Sequence, residues 1–80
     1  MDPKQIVHSD PEILSGTPVF VGTRVPVQAL LDYLAGGETI EEFLDDFPGV
    51  SREQAVGFLE EAGRALIAEI ARGGFVRAAK

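Results

Sequence analysis

The sequence has no cysteine and no tryptophan, and its 80 residues include only one methionine, one tyrosine and one histidine. The absence of cysteine excludes disulfide bonds and thiolate metal sites within the chain. No apolar run approaches the roughly 18 residues that a membrane-spanning helix needs, and residues 1–9 lack the apolar core of a signal peptide. We therefore expect a cytoplasmic protein with no cofactor and no membrane partner.

Basic residues are also scarce, with seven lysines and arginines against thirteen acidic residues and a net charge of −6. Residues 27–61 carry one arginine and nine acids, for a net charge of −8. Residues 62–80 carry four basic residues and one acid, for +3, and residues 1–26 contribute −1. The distribution predicts an acidic body followed by a basic C-terminal segment.

Prolines and glycines are concentrated between Gly16 and Val27. This pattern predicts a short hairpin in which Pro18–Val21 and Arg24–Val27 are extended and are joined at Gly22-Thr23. A short strand at Ile6-Val7 is expected before it. Because an isolated two-stranded hairpin is marginal in water, we expect helices or a second copy of the hairpin to cover this one.

Three helices follow. Apolar residues at offsets 0, 3, 4 and 7 predict one helix from about Val27 to Ala35 and another from about Ile40 to Asp46. Capping-box patterns start the second helix and a long third helix that is expected to run from Ser51 to about Arg72. The apolar positions of the third helix spread more widely than one stripe, so we expect burial against more than the first two helices.

The predicted fold class is mainly α, a three-helix bundle of the helix-turn-helix type with a short N-terminal β-hairpin arm. One domain is expected over residues 1–72, and residues 73–80 are expected to form a flexible basic tail. The wide apolar surface of the third helix and the unpaired hairpin both favour a homodimer or a higher oligomer.

The start of the third helix has residue types suited to reading DNA. In a helix-turn-helix, the first residues of the later helix contact bases in the major groove. Here they are Ser51, Arg52, Gln54 and Ala55, and arginine and glutamine suit guanine and adenine edges. The alternative is that Ser51 and Gln54 only cap the helix. The acidic charge of the helices favours that alternative, because phosphate contacts dominate DNA affinity.

Two further places are candidate partner-binding sites. Arg24, between apolar residues of the hairpin, either pairs with a carboxylate to fasten the hairpin to the bundle or contacts a ligand. The C-terminal segment combines basic and aromatic residues and either orders on an acidic partner or is a solubilising end. Its candidate contact residues are Arg72, Phe75, Arg77 and Lys80.

Motifs of catalysis are missing from the sequence. It has no Ser-His-Asp order, no phosphate-binding loop and no dinucleotide fingerprint. With one histidine and no cysteine, His8 and Asp10 are not expected to form a metal or acid-base site. We therefore expect no enzymatic activity.

The run from Asp10 to Val27 reads D-P-E-I-L-x-G-x-P-V-F-x-G-T-R-V-P-V. Together with the segment Gly37–Glu42, Phe47-Pro48 and the S-x-x-Q pattern at Ser51, it resembles a large family of small prokaryotic proteins. That family was catalogued as a domain of unknown function and is often described as VapB-type antitoxins with a homeodomain-like fold. The resemblance covers about residues 5–62. Position 17 differs, because this chain has threonine where the family commonly has lysine.

The resemblance implies a homeodomain-like three-helix domain and, for some members, pairing with a PIN-type ribonuclease toxin. On this basis we expect an antitoxin that binds and inhibits such a ribonuclease, whose active site is an acidic magnesium site, and that binds operator DNA as a further partner. Two alternatives remain open: a stand-alone helix-turn-helix transcriptional regulator, and a dimeric adaptor without DNA binding.

Overall fold

The structure is a computed structural model that describes residues 2–73. It is mainly helical, as predicted, with a small two-stranded antiparallel sheet near the N-terminus. The strands and helices follow one another as β1 (Val7–His8), β2 (Val19–Phe20), α1 (Val27–Ala35), α2 (Ile40–Asp46) and α3 (Arg52–Ala71). Single turns of 3-10 helix precede each strand, at Pro3–Gln5 and Leu14–Gly16.

The predicted limits of the helices are confirmed to within one residue. Both capping boxes are formed: the Thr39 hydroxyl accepts from the Glu42 N–H at 3.1 Å, and the Glu42 carboxylate accepts from the Thr39 N–H at 2.7 Å. The reciprocal pair at the start of α3 has distances of 3.0 and 3.1 Å. These bonds satisfy backbone donors that the first turn of a helix leaves without partners.

The predicted hairpin is present only in part: its first arm is a strand, Val19–Phe20, whereas the second arm, expected over Arg24–Val27, makes a single bridge in which Pro26 lies opposite Val19. A turn is closed by the Thr23 N–H donating to the Phe20 carbonyl at 3.0 Å, with Gly22 at a φ of 83° that favours glycine. Beyond the turn, the Phe20 N–H donates to the Val25 carbonyl at 3.0 Å. The chain therefore folds back along β2 on the side that leads into α1.

The other side of β2 pairs with β1 in the same chain, where Val7 lies opposite Phe20 and His8 opposite Val19. The strand predicted near Ile6-Val7 fills that position, and Ile6 itself is buried in the core. Of the two covers expected for the hairpin, helices or a second copy, the structure contains the helices, since the Phe20 ring packs against Phe43 on α2 and Phe58 on α3.

The core lies where the strands meet the three helices, and aromatic rings dominate it. The buried apolar side chains are Ile6, Val19, Phe20, Leu30, Phe43, Val50 and Ala55. The Phe20 ring centroid lies 6.1 Å from that of Phe43 on α2 and 5.9 Å from that of Phe58 on α3. One strand residue therefore contacts two helices, which couples the N-terminal third to the bundle.

Only the first half of α3 is packed against this core. Phe58 and Leu59 contact it, whereas Leu66, Ile67 and Ile70 are 51%, 70% and 55% exposed. The expectation was burial of α3 against more than α1 and α2, and in its first half Gln54 and Phe58 do contact the N-terminal segment. The rest of residues 2–73 leaves the second half largely uncovered. At 1.5 Å per residue, residues 62–71 extend about 15 Å beyond the packed part.

A hydrogen bond between α1 and α2 gives a measurable signature of the fold. Tyr33 donates its hydroxyl proton to Asp46 Oδ2 at 2.6 Å. This bond is the main reason that the pKa of Tyr33 is raised from 10.0 to about 12, with burial and the charges of Asp46, Glu38 and Glu42 adding to it. Because the folded state holds the proton more tightly, this contribution to stability is present below pH 10 and is lost as pH rises through about 12.

We expect Asp46→Asn to lower the pKa of Tyr33 toward its ordinary value. Tyr33 is the sole tyrosine of the chain, so tyrosinate absorbance against pH measures this group alone. Asp45→Asn is the matched control, since it removes a neighbouring carboxylate that does not bind the tyrosine. A titration that Asp46→Asn leaves unchanged would show that the two helices are not joined in this way.

Candidate functional site

The start of α3 is built around the buried side chain of Gln54, which is 8% exposed. Its Oε1 accepts from the Ser51 N–H at 3.1 Å as part of the capping box. Its Nε2 donates to the carbonyl of Val21 at 3.0 Å and to that of Gln5 at 3.3 Å. One amide group thus fastens the turn after β2 and the residues before β1 to the third helix.

The prediction that Gln54 and Ala55 contact DNA bases is corrected by this geometry. The polar atoms of Gln54 are engaged inside the protein, and Ala55 is fully buried. Ser51 and Arg52 are exposed, as that prediction requires, but the Ser51 hydroxyl oxygen accepts from the Gln54 N–H at 3.0 Å. Of the alternatives considered for Ser51 and Gln54, helix capping is the one that the structure contains.

Arg52 is held by a carboxylate on α2. Its Nη2 lies 2.6 Å from Glu41 Oε2, and the hydrogen bond from Arg52 lowers the pKa of Glu41 below its ordinary value. Both side chains are largely exposed, so we expect the pair to contribute little to stability. The pair does neutralise the one positive charge at the start of α3, and this reduces the attraction of the helix start for a phosphate group.

Arg24 is exposed on the loop that follows the turn at Gly22. The loop lies against the connection between α2 and α3, since a Cβ placed at Gly49 would lie 3.5 Å from the Thr23 methyl group. Among residues 2–73, Arg24 has no carboxylate within ion-pair distance. Gln54, and not an Arg24 ion pair, fastens this segment to the bundle in the described part of the chain.

Of the predicted C-terminal contacts, the described residues include Arg72, which follows the last residue of α3. It is exposed and forms an ion pair with Glu69 one turn earlier. Phe75, Arg77 and Lys80, and the tail expected over residues 73–80 apart from Gly73, lie outside the described residues. Residues 2–73 hold all thirteen acids and five basic residues, so their net charge is 5 − 13 = −8.

An open groove runs along the exposed face of α3 near its start. Its volume is about 330 Å³, and its lining residues are Arg52, Glu53, Val56, Gly57 and Glu60. Most of the surface of the groove is apolar, although three of its five lining residues are charged. The sequence contains one sign of the groove, Gly57 in the interior of the predicted third helix.

Neither a metal centre nor a membrane segment occurs in the described part of the chain. Within residues 2–73, no three histidine or acidic side chains are grouped so that they could hold a metal ion. No helix there combines the length and the apolar character needed to cross a bilayer.

The fold and surfaces define a small three-helix domain whose N-terminal strand pair is fastened to the last helix. Residues 7–62 match the family described as "Protein of unknown function (DUF433)", and the chain belongs to this family. The resemblance noted in the sequence is thereby confirmed at the level of the family. The matched region ends at residue 62, so the projecting half of α3 lies beyond it.

Two relatives place this domain among known proteins. The uncharacterized protein y4eO of Sinorhizobium fredii (strain NBRC 101917 / NGR234) is 43% identical over 51 residues, which cover 64% of this chain and 23% of that protein. The chain thus spans about a quarter of that relative's length. A crystal structure of a DUF433 member protein from Anabaena variabilis ATCC 29413 matches with a TM-score of 0.62 and 25% identity, covering 85% of this chain and 70% of that one.

We expect Gln54→Ala to destabilise the protein by about 2–3 kcal/mol, because it removes a cap acceptor and leaves two carbonyls without their donor. Chemical denaturation measures the loss. Gln28→Ala is the matched control: this exposed glutamine on α1 donates a hydrogen bond to Asp32 on the same helix at 3.1 Å, and its loss should cost less than about 0.5 kcal/mol. Equal losses for both variants would contradict the role given to Gln54.

Proposed function

We propose that this protein is a non-enzymatic antitoxin that binds and inhibits a PIN-type ribonuclease through the C-terminal end of α3 and the residues after it. The observation that carries the proposal is the projection of α3 beyond the core, with Leu66, Ile67 and Ile70 exposed. A helix that leaves its domain with apolar residues uncovered is typical of a segment that binds another protein.

The distribution of charge supports the C-terminal end of the molecule as the end that binds the toxin. The described residues have a net charge of −8, whereas Arg77 and Lys80 add two positive charges after them. The expected toxin site is acidic, so it repels the body and attracts the C-terminal segment.

The length of α3 also separates the acidic body from the C-terminal end of the helix. Its second half places Arg72 about 15 Å beyond the packed part, and surface charges are largely screened beyond about 8 Å at physiological ionic strength. On this half, Glu61 and Glu69 are paired with Arg64 and Arg72, which leaves their charges balanced.

Operator DNA binding is a second candidate function, with a homeodomain-like arrangement of α1, α2 and α3 as part of it. It is supported by the short connection between α2 and α3 and by the exposed Arg24 beside that connection. It is opposed by the burial of Gln54 and by the Glu41 carboxylate on Arg52. Inhibition of a ribonuclease is therefore the function that we place first.

We expect the double variant Arg72→Glu with Arg77→Glu to bind the cognate PIN-type ribonuclease more than tenfold less tightly than the natural protein. A loss of that size corresponds to about 1.4 kcal/mol or more, which a reversed interfacial charge readily supplies. Titration calorimetry and inhibition of RNA cleavage measure it. Lys4→Glu with Arg52→Glu is the control, because it reverses two charges on the body.

Truncation after residue 71 tests the same proposal without new charges. It should abolish inhibition while leaving the helical circular dichroism nearly unchanged. If the truncated protein and the natural one inhibited the nuclease equally, the C-terminal segment would not be the inhibitory element.

For the second candidate, we expect Glu41→Gln to raise affinity for the protein's own upstream DNA, because it releases Arg52 from its carboxylate. Arg24→Ala should lower that affinity and should reduce the slope of log affinity against log salt by about one. Fluorescence anisotropy over a salt series measures both effects. The absence of any binding at low salt would eliminate this function.

A further inference from the structure

The second half of α3 continues beyond the packing that stabilises the first half. In the described part of the chain, Leu59 is the last residue of α3 that packs against the core, and the helix runs on to Ala71. A helical segment without tertiary packing is stabilised only by the addition of each residue to the helix, with an equilibrium constant of about 1 to 1.6 per residue for good helix formers. A single residue that disfavours the helix therefore has a large effect on this half.

Gly63 is such a residue, and it lies where the packed part of α3 ends. Its φ is not in the positive range that favours glycine. A Cβ placed on it would meet nothing within 4 Å among residues 2–73. Neither the backbone conformation nor the packing in this part of the chain therefore requires glycine. Relative to alanine, glycine shifts the equilibrium from helix toward open chain about fivefold.

An ion pair joins the two sides of Gly63. Arg64 Nη1 lies 2.9 Å from Glu61 Oε2, three positions earlier on the same helix. Among the side-chain hydrogen bonds within residues 2–73, this one alone links α3 before Gly63 to α3 after it. The two side chains are neighbours only while residues 61–64 are helical, so the pair is lost when the helix opens there. Pairs of this kind favour the helix by up to about twofold, and salt weakens them.

We propose that α3 opens at Gly63: residues 64–71 leave the helix together while the rest of the domain stays folded, and the Glu61–Arg64 pair opposes this opening. Residues 64–71 contain no glycine and no proline, so the sequence has no second weak position among them. The first half of α3 stays helical because its side chains pack against the core. Local opening of this kind is the usual behaviour of an element with few buried contacts.

The opening changes what α3 does to the residue that follows it. While residues 64–71 are helical, α3 holds Arg72 at a fixed distance from the acidic body. When they open, that distance is no longer fixed. Because the Glu61–Arg64 pair is exposed to solvent, ionic strength shifts this equilibrium. The C-terminal end of the described chain therefore responds to salt, whereas the aromatic core does not.

This inference concerns the protein free in solution and does not rest on the proposed function. The opening is measured without any ribonuclease. A protein that opens at Gly63 but inhibits no ribonuclease would refute the proposed function alone. A protein that inhibits a ribonuclease but does not open at Gly63 would refute this inference alone.

Amide hydrogen exchange, followed residue by residue on the full-length protein by NMR, tests the role of the glycine. Gly63→Ala should slow the exchange of amides 64–71 about fivefold and should leave amides 55–60 unchanged. Gly57→Ala is the matched control, because it makes the same chemical change in the packed half, and it should leave amides 64–71 unchanged. Exchange of amides 64–71 that Gly63→Ala does not slow, or that Gly57→Ala slows equally, overturns the proposal.

Glu61→Gln tests the ion pair by the same measurement. It should speed the exchange of amides 64–71 by about twofold at low salt. The effect should disappear at about 1 M salt, where charges are screened within about 3 Å. Glu60→Gln is the control, since Glu60 has no ion-pair partner among residues 2–73, and it should leave this exchange unchanged. Equal effects of the two variants, or an effect of Glu61→Gln that persists at high salt, overturns the proposal.

Discussion

The two hydrogen bonds that Gln54 donates to the carbonyls of Val21 and Gln5 hold this domain together across its sequence. They join residues 33 and 49 positions apart. The strands they fasten have two residues each, far fewer than a sheet needs to be stable alone. Because the turn after β2 is fixed on α3, Phe20 is placed between Phe43 and Phe58, and the aromatic core follows from that placement.

The same contact divides α3 into two parts with different roles. The first half packs within the domain through Gln54, Ala55 and Leu59, and the side chains of its capping box are hydrogen-bonded to the helix itself. In the described part of the chain, the apolar side chains of the second half are exposed and do not pack against the core. This division is why we place interactions with another protein at the end of α3 and not at its start.

Much of the fold could be predicted from the sequence because its signals are local. The limits of α1 and α2 follow from apolar spacing, from Gly36-Gly37 and from the capping box at Thr39. The role of Gln54 could not be predicted, because its partners lie far away in sequence and a glutamine that caps a helix looks the same as one that also bridges segments. The pairing of Arg52 with Glu41 could not be predicted either, because the two residues are 11 positions apart and lie on different helices.

Periodicity reports that a face is apolar, but not which element covers it. The apolar face of α3 could therefore be predicted from the sequence, whereas the exposure of Leu66 and Ile70 within residues 2–73 could not. For the same reason the cover of the hairpin was left open between helices and a second copy. The structure has β1 beside β2, and the rings of Phe43 and Phe58 against Phe20.

Amide hydrogen exchange along α3 tests the division of this helix most directly. The account predicts that amides from about residue 55 to residue 60 are protected. Amides from about residue 63 to residue 71 should exchange much more quickly. Equal protection of both halves would contradict it.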